Sequence, residues 1–323
     1  MKKPWLSLPA GIAYKLSHPL LKLIGLAKSP RTFTWRPFTW RGLQFANPLG
    51  ISGGLDKNAE YLNAWWALGA GFVEIGTVTP LAQTPNPGKI IARDNKHHAV
   101  WNKMGFPNEG VAAVKSRLKQ IKRPYHTPLF INIGKNRQTE NKNASQDYLH
   151  CIRELKPYAD AFIVNVSSPN TAGLRDLLTP ENLANLLKPL ISECAGKVPL
   201  LLKLSPDMTD SDFSSALVSS LELGIDGWIL TNTTLARDID LNFSKEGGVS
   251  GRPLAARSKE LLKLAVQTLG DKRHGKLLIS VGGVMTAKDV FERLNLGAQL
   301  VQIYSALIFE GPTFFCQVAE EAE

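Results

Sequence analysis

AFIVNVSSPN, residues 161–170, decides the fold. AFIVNVS, Ala161 to Ser167, reads as a buried strand, and the uncharged polar set at its end, Asn165, Ser167, Ser168 and Asn170, closes it. The same figure recurs along the chain. NPLGIS (47–52), FVEIGT (72–77), LFINIG (129–134), LLLKLS (200–205), GWILTN (227–232), LLISVGG (277–283) and LVQIYS (300–305) are short apolar runs closed by small or polar residues. Amphipathic segments near 59–68, 108–120, 144–157, 180–193, 210–223, 258–269, 286–294 and 312–322 separate them and read as helices. Eight strands alternating with eight helices predict an α/β fold, a (β/α)8 TIM barrel. A doubly wound open sheet fits less well, because no GxGxxG follows the first strand and polar residues close nearly every strand instead of gathering at one switch point.

A chain of 323 residues, 44% hydrophobic and 20% charged, has the composition of a folded globular protein. The net charge of +10 suits an anionic partner, whether nucleic acid, membrane surface or small molecule, without choosing among them. Three cysteines without a CxxC pair point to a reducing compartment and buried thiols, and six histidines without HxxxH or HExxH spacing give no support to a metal site.

Residues 5–27 are rich in leucine, but Pro9, Lys15, His18, Pro19 and Lys22 interrupt them. No apolar run is long enough to span a bilayer, and no small-residue cleavage site follows an unbroken apolar core. Two amphipathic helices are expected instead, near 5–16 and 18–27, with Pro19 in the first turn of the second. Leu16, Leu20, Leu21, Leu23, Ile24 and Leu26 crowd this region, and Lys2, Lys3, Lys15, Lys22 and Lys28 surround them, as in a helical cap on an anionic membrane surface. The domain reading is an N-terminal helical extension, 1–42, before a barrel, 43–323.

In a barrel the polar strand ends meet at one mouth. Here they supply Asn, Thr, Ser, Lys and Gly with few carboxylates, a set that hydrogen-bonds a flat ligand rich in carbonyl and N–H groups. Gly282 and Gly283 after strand seven, and Tyr304 to Ala306 after strand eight, leave backbone amides open, which implies a phosphate-bearing cofactor. Lys203 sits inside strand five and needs an anion: a flavin that turns anionic when reduced, or a buried acid such as Glu74.

Taken together, NPLGISGGLDKN, EIGTVTP, NKMGFPN (102–108), INIGKN, NVSSPNTAGLR, TNTT, GGVSGRPL (247–254), SVGG and LVQIYSALIFEGP (300–312) resemble the dihydroorotate dehydrogenases, in their membrane-associated, quinone-reducing class. The resemblance implies oxidation of dihydroorotate to orotate in pyrimidine synthesis, with FMN as cofactor and a membrane quinone as acceptor. It makes Ser168 the general base that takes the C5 proton, where soluble members carry cysteine, and leaves Thr171 to hold a relay water. By strand alternation Ser167 points away from Ser168. By the same resemblance Lys57, Asn102, Lys103, Met104, Gly105, Phe106, Asn165, Asn170, Asn232 and Thr233 meet the substrate, with Phe106 over the entrance. Gly53, Gly54, Lys57, Thr77, Asn132, Asn165, Lys203, Thr231, Gly251, Gly283, Tyr304 and Ser305 hold FMN. Arg93, in IIARDNK, falls where the family uses an arginine near the quinone head group, the other reading being a surface arginine in a long loop. A peripheral place on the cytoplasmic face of the inner membrane is expected, since no Arg/Ser-rich transit segment is seen. A fumarate- or NAD-linked soluble relative clashes with Ser168 and the helical N-terminus, and an RNA-acting flavoprotein would carry an appended RNA-binding domain.

Overall fold

The computed structural model describes residues 3–194 and 196–322, so Lys2 of the N-terminal lysine set lies outside it. A 3-10 turn, Pro4–Ser7, leads into α1 (Ala10–Ala27). The strands, in chain order, are β1 (Phe38–Trp40), β2 (Leu43–Phe45), β3 (Leu49–Ile51), β4 (Phe72–Val78), β5 (Ile91–Asp94), β6 (Ala99–Asn102), β7 (Leu129–Ile133), β8 (Ala161–Asn165), β9 (Leu200–Leu204), β10 (Gly227–Leu230), β11 (Gly248–Gly251), β12 (Leu277–Val281) and β13 (Leu300–Ile303). The remaining helices are α2 (Leu62–Leu68), α3 (Gly110–Leu118), α4 (Ala144–Leu155), α5 (Pro180–Cys194), α6 (Asp210–Leu223), α7 (Ala255–Leu269), α8 (Ala287–Asn295), α9 (Ser305–Phe309) and α10 (Phe314–Glu320).

Eight parallel strands close into a barrel in the order β10-β12-β13-β3-β4-β7-β8-β9, and these are the eight expected from the sequence. The antiparallel hairpin β1-β2 closes the bottom of the barrel, with Trp40 and Phe45 packed under Phe72 and Phe130. The 42/43 domain boundary therefore falls within the turn of this hairpin. A small antiparallel sheet, β5-β6-β11, stands over the other end. Arg93 lies on β5, not in a loop.

The N-terminal extension holds one long helix where two were expected. α1 runs through Pro19, which cannot donate to the carbonyl of Lys15; both residues lie on the exposed face, so that carbonyl is not sealed from solvent. The expected helix over 312–322 is α10; a short helix not anticipated, α9, precedes it, and the two are separated at Gly311, whose φ of +87° is a glycine conformation, and Pro312. A Cβ on Gly311 would lie 2.9 Å from the Trp5 ring, so this break seats the N-terminal turn against the barrel.

Candidate active site

Side chains alternate along each barrel strand, and the inward set changes character with height. The lower layers are apolar: Phe72, Phe130, Ala161, Ile163, Leu201, Ile229, Leu277, Ile279 and Leu300 fill the barrel above the hairpin. Two residues further along the same strands, or at their ends, stand Glu74, Asn132, Asn165, Lys203 and Gln302, all buried. Glu74 organises this floor. Its Oε1 accepts from Lys203 Nζ at 3.0 Å and Asn132 Nδ2 at 2.6 Å, and its Oε2 accepts from Gln302 Nε2 at 2.6 Å. The anion that Lys203 needs is thus supplied by the protein, so its burial alone does not demand a charged ligand.

Above the floor, the strand ends enclose a polar cavity of about 130 Å³. A register shift between Ile75 and Val78 on β4 marks the turn of chain that brings Thr77 to it. Asn165 Nδ2 donates to Thr77 Oγ1 at 3.0 Å and to Asn132 Oδ1 at 3.2 Å. Asn232 Nδ2 donates to Ser167 Oγ at 3.0 Å, and Ser167, as alternation predicted, does not line the cavity while Ser168 does. Ser168 Oγ accepts from the Asn170 amide at 3.2 Å. β6 brings Asn102 across the mouth, where its Oδ1 accepts from Asn170 Nδ2 at 2.9 Å. Phe106, held at φ +56° beside Gly105 at +71°, closes the mouth with Met104 and Pro107.

All the expected substrate and cofactor residues line this cavity except Lys103. The Lys103 side chain turns outward and pairs with Glu246, because in extended chain the neighbours of Asn102 and Met104 face the opposite way. Gly282, expected at the phosphate end, lines the cavity too, and so do Ser52, Ser250 and Gln302, which were not anticipated. Gln302 was legible, being two residues after the inward-facing Leu300 on β13. Thr171 is buried three residues beyond Ser168. Burial pushes the Tyr304 phenol above its ordinary value.

A second cavity, of about 360 Å³ and almost wholly apolar, lies between α1 and the barrel. Leu21 and Ile24 of α1, Trp65 and Leu68 of α2, Val100 and Ile308 form its walls, and Gly54 and Tyr304 line both cavities as the partition between them. Arg93 lines it too, with Nη2 donating to the carbonyls of Leu6 and Leu8, both at 2.9 Å. Burial pulls the His18 imidazole, on the same wall, below its ordinary value, with the nearby Lys57 and Lys22 ammonium groups adding to the effect and Glu60 opposing it. Among the described residues no helix is long and apolar enough to cross a membrane, and no cluster of metal-ligating side chains forms.

Residues 38–323 match the family model for dihydroorotate dehydrogenase. The chain is 45% identical over 277 residues to a dihydroorotate dehydrogenase (quinone) of Deinococcus radiodurans, covering 83% of this chain and 74% of the relative. Its identity to the enzyme of that name from Cellvibrio japonicus is 43% over 312 residues, or 93% of this chain and 88% of the relative. The crystal structure of DHODH from Eimeria tenella in complex with ferulenol superposes with a TM-score of 0.87 at 32% identity, covering 95% of this chain and 90% of that one. With sequence, barrel and cavity in agreement, the chain belongs to the dihydroorotate dehydrogenase family, in its quinone-dependent class.

Proposed function

We propose that this protein oxidises dihydroorotate to orotate at the barrel mouth and passes the electrons through the partition to a quinone in the apolar cavity. The observation that carries the reading is the pair of cavities, one polar and one apolar, meeting at Gly54 and Tyr304. FMN, when bound in the polar cavity, would accept the hydride from C6 of the substrate and supply the electrons for the quinone.

The residues fit that group. Gln302 Oε1 is buried at the floor without a partner, and among the described residues no backbone carbonyl takes the amide hydrogens of Gly282 or Gly283. Gly53 leaves room that a Cβ would close, since one there would lie 2.4 Å from Glu74 Oε1. Gly53, Gly54, Thr77, Asn132, Lys203, Thr231, Gly251, Gly283, Tyr304 and Ser305 would hold FMN, with Gly283 and its neighbours offering amides to the phosphate. Lys57, Asn102, Asn165, Asn170, Asn232 and Thr233 would hold dihydroorotate. Asn170 Oδ1 is buried and unpartnered in the cavity, ready to accept a ring N–H.

Ser168 would take the C5 proton. A serine hydroxyl is a weak base, so it must give up its own proton as it receives the new one, and negative charge on Oγ must be bearable. The Asn170 amide, donating to Oγ, fixes that atom and eases such charge, and Thr171, buried three residues on, would pass the departing proton along. Phe106 and Met104 would keep water from the reacting face. On the acceptor side, Arg93 would meet the quinone head group. Leu16, Leu20, Leu23 and Leu26, each at least 51% exposed along α1, form an apolar row that would rest in the surface of an anionic bilayer.

The test is orotate formation by the detergent-solubilised protein from dihydroorotate and a ubiquinone analogue without oxygen, beside parallel reactions with fumarate or NAD. Orotate with quinone alone is the expected result; orotate with fumarate or NAD alone would refute the acceptor, and none at all would refute the substrate.

A further inference from the structure

The N-terminal helix touches the substrate end of the site through one hydroxyl. Lys57 lines the polar cavity, and its Nζ donates to the Gly54 carbonyl at 2.6 Å and to Tyr14 Oη at 3.1 Å. Tyr14 belongs to α1 and lines the apolar cavity, so this bond crosses the partition. The same ring lies 5.3 Å from the ammonium, centroid to Nζ, and His18 packs edge-on against it at 4.9 Å. His18 is tied in turn to the barrel domain, its Nδ1 2.7 Å from Tyr61 Oη. Among the described residues no carboxylate pairs with Lys57, so its ammonium rests on two neutral oxygens, one of them supplied by α1. Burial opposes the charge on Lys57, the Tyr14 and Tyr304 oxygens favour it, and the net direction is upward.

We propose that Tyr14 is a positioning residue for Lys57, and that the seating of the N-terminal helix thereby sets the affinity of the polar cavity for its substrate. A lysine carries four rotatable bonds and much rotamer freedom, so two fixed acceptors are what aim it; without the Tyr14 hydroxyl only the Gly54 carbonyl remains. The coupling is reciprocal. A ligand in the apolar cavity that engages Tyr14 or shifts α1 changes binding at the barrel mouth, and orotate or dihydroorotate changes binding under α1 by the same factor. This rests on the proposed reading of Lys57 as a substrate contact.

The experiment titrates orotate into the FMN-loaded protein, followed by the flavin absorbance, for the wild type, Tyr14→Phe and Lys57→Met, with a melting temperature for each. Tyr14→Phe keeps the ring over the ammonium and removes only the hydroxyl. It is expected to weaken orotate binding about tenfold, as for a lost hydrogen bond to a charged group, with the melting temperature unchanged. Unchanged orotate affinity in Tyr14→Phe while Lys57→Met loses it overturns the coupling and leaves the site reading standing. Unchanged affinity in Lys57→Met removes Lys57 from the substrate contacts and the proposal with it. A weakened affinity that comes with a melting temperature several degrees lower marks a folding role for the hydroxyl and also overturns the proposal.

Discussion

The polar and apolar cavities share a wall but are built by opposite means. The polar one is made of strand ends in a closed sheet, so register fixes each side chain and hydrogen bonds satisfy most of them. The apolar one is made by laying α1, which has no buried residue of its own, over α2 and β5. A few tethers hold it there: Arg93 on the carbonyls of Leu6 and Leu8, the Trp5 indole donating to the Ile308 carbonyl at 2.8 Å, and the Lys3–Glu310 ion pair. Geometry on one side belongs to the barrel, and on the other to a docked segment. Substitutions should therefore separate into those that strike substrate chemistry and those that strike the acceptor.

The largest effect is expected at Ser168. Ser168→Ala should slow flavin reduction by dihydroorotate by roughly 10²–10⁴, the range for a lost general base, while FMN stays bound. Stopped-flow reduction at a near-normal rate would place the base elsewhere. Next comes the floor. Glu74→Leu leaves Lys203 buried without its carboxylate and Asn132 and Gln302 without their acceptor, a loss of about 3–5 kcal/mol. Urea unfolding should show it, and adding Lys203→Met should restore most of the stability. If the double variant is no more stable than the single one, the polar floor acts as separate hydrogen bonds and not as one ion-pair network.

Across the partition, Arg93→Ala should raise the quinone KM about tenfold, the scale of losing hydrogen bonds from a charged group, and leave flavin reduction by dihydroorotate unchanged. Burial already lowers the pKa of this guanidinium, and its partners are carbonyls of the N-terminal turn, so part of the effect passes through that turn. Impaired flavin reduction in this variant would break the separation of the two sides.

How much of this was legible in the sequence follows from the same contrast. The barrel and its polar strand ends could be read because strand alternation and polar strand ends are local signals, repeated eight times; the mouth residues that lie off the barrel strands, such as Asn102, Phe106 and Gly251, were reached only through the family resemblance. Lys103 was misplaced because the short antiparallel strand β6, AVWN, was not recognised, and alternation could not be applied to it. The docked segment was harder. Pro19 suggested a helix break, yet a surface helix can leave one carbonyl to solvent. That Arg93 would hold the carbonyls of Leu6 and Leu8 has no local trace, since more than 80 residues separate them.

The smallest predicted effect lies on the partition itself. Gly54 lines both cavities, Leu55 the apolar one and Lys57 the polar one. Between them Asp56 is fully buried and turns back to accept from the Glu60 and Tyr61 amides at 2.8 and 2.9 Å. Burial pushes its carboxyl up to about 6 against the pull of those amides. The folded chain thus binds this proton more tightly than the unfolded chain, whose aspartate titrates near 3.8. Its contribution to stability grows as pH falls through about 6 and levels off near 3.8, which amounts to about 1 kcal/mol between pH 7 and 5.5. Asp56→Asn removes the titration, so the stability of wild type relative to the variant should rise by that amount over the same interval. Urea unfolding at the two pH values measures it, and a flat difference would show that the partition holds no strained charge. Because one short loop presents Leu55 to the apolar cavity and Lys57 to the polar one, Asp56→Asn should disturb quinone reduction and substrate oxidation together, where Ser168→Ala and Arg93→Ala each disturb one.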